Sequence, residues 1–277
     1  MELTKDITLG VYIPRKTTVH QADPRTKILL TMVLITLLFF IKTYTAYGVY
    51  ALFALGLVWV SQIPLGYAVK GLKPMIPVLI IMWVFQLFLQ KPAHAQVIFS
   101  LGFLEATDVG LRMGTLMSIR VLLLFLITTI LTMATSMVEL TDGIEALLKP
   151  FRKIGVPSHE LAMTMVIALR FVPTLAEEME KIVKAQMARG VDFDRGNFIQ
   201  KTAKVFPIFL PLFLNAFKRA EDLIVAMEAR NYTGGGGRTK MRQLRMGPAD
   251  TKAFAIVLLF TLVLVAVIRF FPPSIQI

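Results

Sequence analysis

From Ile28 to Ile63 the sequence is apolar almost without interruption, with Lys42 as the main break. As one helix this stretch would run about 54 Å, whereas the hydrocarbon core of a bilayer is about 30 Å thick. It is too long for one span, so it predicts two membrane helices that turn near Lys42-Thr43. Composition points the same way. The 277 residues are 56% hydrophobic and only 17% charged, whereas soluble domains carry roughly half apolar and a quarter charged residues. Met1 to Lys27 is mixed and polar, with no basic-then-apolar leader pattern, so internal segments are expected to drive insertion.

The remaining spans follow by the same reasoning. Asp23-Pro24 reads as an N-cap followed by proline at the first helical position. A short polar connection, Pro64 to Pro74, carries Lys70 and Lys73. A third span is expected over Met75 to Leu89, with Pro74 and Pro77 near its start, where a missing amide donor costs least. Lys91 to Val109 is irregular, and Val97-Ile98-Phe99 with Phe103-Leu104 suggests a short hairpin. Leu111 to Val138 forms the fourth span. Ser136-Met137-Val138-Glu139 has capping-box spacing, so a new helix is expected as the fourth ends. Ala253 to Phe271 is the fifth.

Between the fourth and fifth spans the character changes. Leu161 to Leu169 and Phe206 to Phe217 are greasy, but each is shorter than the roughly 17 residues a span needs. The second also contains Pro207 and Pro211. Long amphipathic helices at or below the membrane interface are expected here, with Gly234 to Gly237 as a flexible break. The resulting expectation is an all-α, polytopic membrane protein with about five transmembrane helices. Residues 1–139 form a membrane domain of four spans, 140–252 a cytoplasmic or interfacial domain of long helices, and 253–277 the final transmembrane helix.

Basic residues set the orientation. Of 30 lysines and arginines, five precede Ile28, two lie in the Pro64–Pro74 connection and eighteen in Leu140–Lys252. The positive-inside rule therefore places the N-terminus inside and the C-terminus outside. The net charge of +12 is accounted for by this bias, and nucleic acid is not expected as a partner. Arg238, Lys240, Arg242 and Arg245, just before the last span, suit anionic headgroups.

Catalytic chemistry finds little support. The chain has no cysteine, hence no disulfide framework, thiolate metal site or cysteine nucleophile. Its histidines, His20, His94 and His159, are scattered, and none belongs to a zinc-binding His-Glu-x-x-His pair. The four glycines run into Arg238-Thr239 rather than Gly-Lys-Ser/Thr, so they form no phosphate loop. Gly-x-Ser-x-Gly is absent too. Asp142/Glu145 and Glu177/Glu178/Glu180 need no catalytic role; Glu177–Lys181 and Glu180–Lys184 are i,i+4 pairs on a solvated helix face. Arg120 is the one strong charge well inside a span. An intramembrane charge is a functional candidate, but the preferred reading is that it snorkels to the outer interface. Gly110 and Gly114 form a small-x-x-x-small pair suited to close helix packing.

An internal repeat is more informative. Glu180-Lys-Ile-Val-Lys-Ala-Gln-Met-Ala-Arg-Gly190 aligns with Glu221-Asp-Leu-Ile-Val-Ala-Met-Glu-Ala-Arg-Asn231, offset by 41 residues, with four of eleven positions identical. Each copy follows a proline-containing greasy stretch, Arg170 to Pro173 in one and Phe206 to Pro211 in the other. Each ends in Ala-Arg followed by glycine or asparagine, the residues that best tolerate a left-handed helix C-cap. A C-terminal arginine suits the helix dipole on structural grounds alone. Its recurrence at the ends of matching helices favours a second role, insertion of a small–Arg–small tip into a partner's cleft, where the guanidinium meets carbonyls or carboxylates.

At these residues the sequence resembles the T components (EcfT) of energy-coupling factor vitamin and metal transporters, related to the cobalt-transport CbiQ proteins. The resemblance rests on Gly155-Val-Pro, His159-Glu160-Leu161-Ala162, Ala168-Leu-Arg-Phe-Val-Pro173, Glu177-Glu178, Ala185-Gln-Met-Ala-Arg-Gly190-Val-Asp-Phe and Ala226-Met-Glu-Ala-Arg-Asn-Tyr232. With the span pattern it covers nearly the whole chain. It implies a non-catalytic coupling scaffold in the cell membrane, without cofactor or ATP site. Its implied partners are two ABC-type ATPases and a membrane-embedded substrate-binding S component. By this resemblance Ala188, Arg189 and Gly190 form one ATPase-docking tip and Ala229, Arg230 and Asn231 the other; Asn231 departs mildly from the more usual glycine. The rival readings, a secondary transporter or channel and an intramembrane enzyme, call for broken or charged mid-bilayer helices or converging acids, histidines or a nucleophile. Arg120 is all the sequence offers them.

Overall fold

The computed structural model describes residues 12–15, 17–64, 66, 71–89, 97–101, 104–193, 195, 197–232 and 244–271. Within these the chain is helical apart from one small hairpin. A single turn, α1 (Thr18–Gln21), leads to α2 (Pro24–Phe40) and α3 (Tyr44–Ser61). The 3-10 turn Lys73–Met75 opens α4 (Ile76–Leu89). Strands β1 (Val97–Leu101) and β2 (Leu104–Thr107) pair antiparallel, with a bulge between Val97 and Phe99. Then follow α5 (Asp108–Ala134), α6 (Met137–Leu148), α7 (Ser158–Ala188), α8 (Phe198–Ala229) and α9 (Pro248–Phe270). The four-glycine run and Arg238, Lys240 and Arg242 lie outside the described residues.

The chain divides into two compact units, Gly10–Gly143 with Leu244–Ile277, and Ile144–Gln243. In the first, the long apolar run breaks at Ile41-Lys42-Thr43 into α2 and α3, as its length requires. Asp23 caps α2 by accepting from the Arg25 amide at 3.0 Å, with Pro24 at N1. Ser136 accepts from the Glu139 amide at 3.3 Å where α5 gives way to α6. The core gathers Leu38, Tyr47, Tyr50, Leu123, Ile127 and Leu264. Phe53 stacks on Phe260 with ring centroids 3.8 Å apart.

Among the described residues, four helices are by length and composition fit to cross a membrane: α3, α5, α7 and α9. Three coincide with expected spans. The other two expected spans are shorter, α2 at 17 residues and α4 at 14. The fourth, α7, lies in the region expected at the interface. Its greasy stretch is continuous with charged sequence in one 31-residue helix that carries Pro173 internally.

Arg120 departs from the snorkelling reading. It is half-buried, and its guanidinium donates to the Tyr47 hydroxyl at 2.8 Å and the Ile41 carbonyl at 3.0 Å. The physical reason lies in the turn. Ile41 is the C-cap of α2, and a helix C-terminus leaves carbonyls without intrahelical partners and a partial negative charge. Arg120 neutralises that end from inside the protein instead of reaching for water.

Gly110 and Gly114 sit where α5 crosses α4. A Cβ on Gly110 would stand 2.6 Å from the Leu87 carbonyl oxygen, and one on Gly114 3.2 Å from Trp83. Backbone cannot yield as a side-chain tip can. Gly110→Ala is therefore expected to cost about 1–3 kcal/mol through overpacking. Gly48→Ala, at an exposed position in the second turn of α3 with nothing within 4 Å of its Cβ, should be neutral or stabilising by up to about 1 kcal/mol. Thermal unfolding of both variants in detergent checks this; equal melting temperatures would refute the close-contact account.

Candidate functional site

The repeated tips lie in the Ile144–Gln243 unit. Glu145 and His159 join α6 to the start of α7 with 3.2 Å between Oε1 and Nδ1. The helix α7 then runs to Ala188, and Arg189 is its C-cap. Gly190 follows at φ +87°, in the left-handed region. Its amide donates to the Met187 carbonyl at 3.0 Å, and the Val191 amide to the Gln186 carbonyl at 3.1 Å. These two reversed bonds define a Schellman cap.

The second tip repeats this bond for bond. Arg230 is the C-cap of α8, and Asn231 follows at φ +54°. The Asn231 amide donates to Glu228 at 2.8 Å and the Tyr232 amide to Met227 at 3.0 Å. Every donor and acceptor is displaced by the 41 residues of the sequence repeat. Ala188, Arg189, Gly190, Ala229, Arg230 and Asn231 are all exposed. Neither guanidinium has an ion-pair or side-chain hydrogen-bond partner among the described residues. The arginines are thus fixed at the backbone and free at the side chain.

The helices behind the tips pack on one another. Arg219 of α8 donates to Glu178 of α7 across a sequence separation of 41. Glu178 is half-buried, with its pairing partner on the neighbouring helix. Glu178 lies eleven residues before Arg189, and Arg219 eleven before Arg230. The ion pair therefore joins equivalent points of the two repeats, each about 16 Å of helix from its tip. A search at the repeat offset would have found it, because the two residues are aligned and of opposite charge. Of the expected i,i+4 pairs, Glu180–Lys184 closes at 2.6 Å, while Glu177 and Lys181 form no ion pair among the described residues.

The segment after the first tip is tied down as well. Lys204 of α8 donates to the carbonyls of Asp192 and Arg195, each at 2.6 Å. Asn197 and Gln200 form a capping box at the start of α8. Farther along α8, Phe209, Phe213 and Phe217 are each about half exposed. Their rings follow one another with centroids 5.8 and 4.9 Å apart. Pro207 and Pro211 sit within this helix, each without an amide donor.

Residues 15–241 match the family model described as cobalt transport protein, CbiQ. Relatives include the energy-coupling factor transporter transmembrane protein EcfT of Thermosediminibacter oceani, 50% identical over 90% of this chain and 93% of the relative. The protein of the same name from Clostridium kluyveri is 46% identical over 90% of this chain and 92% of its own. That from Bacillus subtilis is 43% identical over 95% and 97%.

The caps make different demands on the residue at C′. Gly190→Ala places a Cβ at positive φ, which costs about 1–2 kcal/mol. Asn231→Gly is expected to be neutral within about 0.5 kcal/mol, while Asn231→Ala should be destabilising like the first. Hydrogen exchange at the Val191 and Tyr232 amides reads out each cap locally. Unchanged protection in both alanine variants would show that the caps do not depend on the left-handed residue.

Proposed function

The chain belongs to the family of the CbiQ cobalt transport proteins and EcfT energy-coupling factor transmembrane proteins, and from that membership we propose that it is a transmembrane coupling scaffold. It links ATP hydrolysis by two ABC-type ATPases to uptake of a vitamin or metal through a separate membrane-embedded S component. The observation that carries this reading is the duplicated tip: two exposed arginines, unpaired among the described residues, on matching caps at the ends of two helices joined at equivalent points. Two similar sites suit two similar partners. An arginine fork matches carboxylate or carbonyl acceptors in a cleft and is rigidly presented by the cap. The exposed phenylalanines of α8 offer an apolar face to a membrane-embedded partner. The scaffold itself performs no catalysis and takes no cofactor.

In this reading the N-terminus and Leu140–Lys252 face the cytoplasm, and the protein resides in the cell membrane. With no native cysteine, single-cysteine variants report topology directly. Asp192→Cys and Lys201→Cys should react with an impermeant maleimide only after cells are permeabilised. Labelling of intact cells at either position would invert the arrangement.

The arginines make the sharper test. Arg189→Ala and Arg230→Ala should leave insertion and melting temperature intact, since both side chains are exposed. Each should weaken assembly with the ATPases or uncouple hydrolysis from uptake, and the double variant should be worse. Loss of a charged hydrogen bond in a partly desolvated cleft costs about 1.5–3 kcal/mol, or roughly one to two decades in affinity. Lysine should rescue poorly, because it lacks the planar donor fork. Transport, ATPase co-purification and melting temperature, measured together, decide. Survival of transport and assembly in both alanine variants would rule out docking through these tips.

A further inference from the structure

The Gly10–Gly143 and Leu244–Ile277 unit contains a cavity of about 380 Å³ between α1, α2, α3, α5 and α9. That falls within the size of small-molecule sites, about 300–1,000 Å³. Its walls change chemistry along its depth. At one end lie Thr26 and Lys27 in the first turn of α2, Ala134 closing α5, and Lys252 near the start of α9. These share one level, because Lys27 Nζ donates to the Ala134 carbonyl at 2.9 Å and the Asp23 amide to Asp250 at 2.7 Å. Leu34 and Ile127, each seven residues away along its helix, lie about 10 Å deeper, among Phe53 and Val257. The lining therefore carries two lysines at one end and is greasy at the other, with the Asp23 and Asp250 carboxylates beside Lys27.

Three details at its lining are unexplained by packing within the chain. Lys252 is exposed and forms no ion pair among the described residues. Thr26 is fully buried, and its hydroxyl has no hydrogen-bond partner among the described residues. Gly56, inside α3, lines the cavity, and a Cβ there would meet nothing within 4 Å. A helix-interior glycine is ordinarily disfavoured, and here its lack of a side chain widens the space. A water-soluble ligand would find no polar partner in the deep part. An amphiphile with a negative head finds both halves of what it needs.

We propose that this cavity binds one acyl chain of an anionic phospholipid, with the Lys252 ammonium on its headgroup phosphate. Lys27, beneath the head, faces Glu139, Asp250 and Asp23, so the headgroup's partner is Lys252. Two of the three Lys27 N–H groups are engaged by the carbonyls of His20 and Ala134, each at 2.9 Å.

The test uses the full-length chain purified in detergent, with phosphatidylglycerol and phosphatidylcholine as probes. Native mass spectrometry should show one phosphatidylglycerol retained per chain in preference to phosphatidylcholine, and the melting temperature should rise more with the former. Lys252→Glu should lower phosphatidylglycerol occupancy at least fivefold, from the roughly 1 kcal/mol that a lysine near a phosphate contributes. Gly56→Phe should fill the cavity and abolish retention without lowering the melting temperature of the lipid-free protein. If that variant does not fold, Gly56→Leu replaces it. Equal retention of the two lipids, persistence of the bound lipid in the filled variant, a retained mass matching a free fatty acid, or no retained lipid would each overturn the proposal. Arg189→Ala should leave lipid retention unmoved, so the outcome is independent of the coupling function.

Discussion

A backbone carbonyl or amide without a partner costs several kcal/mol in hydrocarbon, and a chain that breaks its helices must provide for the groups each break releases. In the Gly10–Gly143 and Leu244–Ile277 unit that provision comes from side chains on other helices. Asp250 accepts from the Asp23 amide and, at 2.7 Å, from the Gly247 amide, so one carboxylate serves the starts of α2 and α9. Lys27 takes the last carbonyl of α5. The Ile41 carbonyl at the end of α2 receives both Arg120 and, at 3.2 Å, the Tyr47 hydroxyl. The interior charges of this unit are thus helix-end partners, and that use explains their burial without recourse to a transport pathway.

The same requirement decided what could be read from sequence. Spans, the turn at Lys42-Thr43, the Asp23 cap and the restart of the helix after Ser136 depend on length, periodicity and local hydrogen bonding, which adjacent residues encode. The Gly110 and Gly114 contacts were legible as a spacing, though not which helix they met. The partners of Arg120 are not legible in the sequence, because they lie 73 and 79 positions away. Glu178 carries no local signal of its partner: Lys181 and Lys184 answer Glu177 and Glu180 at i,i+4 spacing, whereas Arg219 stands a full repeat distant. The extent of α7 is not legible from its apolar half alone, because the helix runs on through Pro173, the residue least suited to a helix interior, into the charged half.

Glycines show the limit of single-sequence reading most clearly. Gly110 is required by a neighbouring carbonyl, Gly190 by its own left-handed backbone, and Gly56 by neither. Sequence presents all three as the same letter. Only Gly190 carried a local signal, its place directly after an Ala-Arg helix end that recurs elsewhere with asparagine. The substitution at the second copy is itself instructive, since asparagine is the non-glycine residue most at ease at positive φ. What the two copies hold in common is therefore the turn, and through it the direction in which arginine leaves the helix.

That common turn gives the ion pair between Glu178 and Arg219 its meaning. A contact between aligned residues of two repeats lies where the paired helices are related to each other most symmetrically. Here both arms beyond it have the same length, eleven residues to each arginine. Within each arm the backbone is an uninterrupted helix, since the internal prolines, Pro173, Pro207 and Pro211, all precede the ion pair. The kink-prone part of each helix thus lies on one side of the joint and the stiff part on the other. Displacement applied at a tip is carried by the stiff arm to the joint, and the segments able to bend lie beyond it.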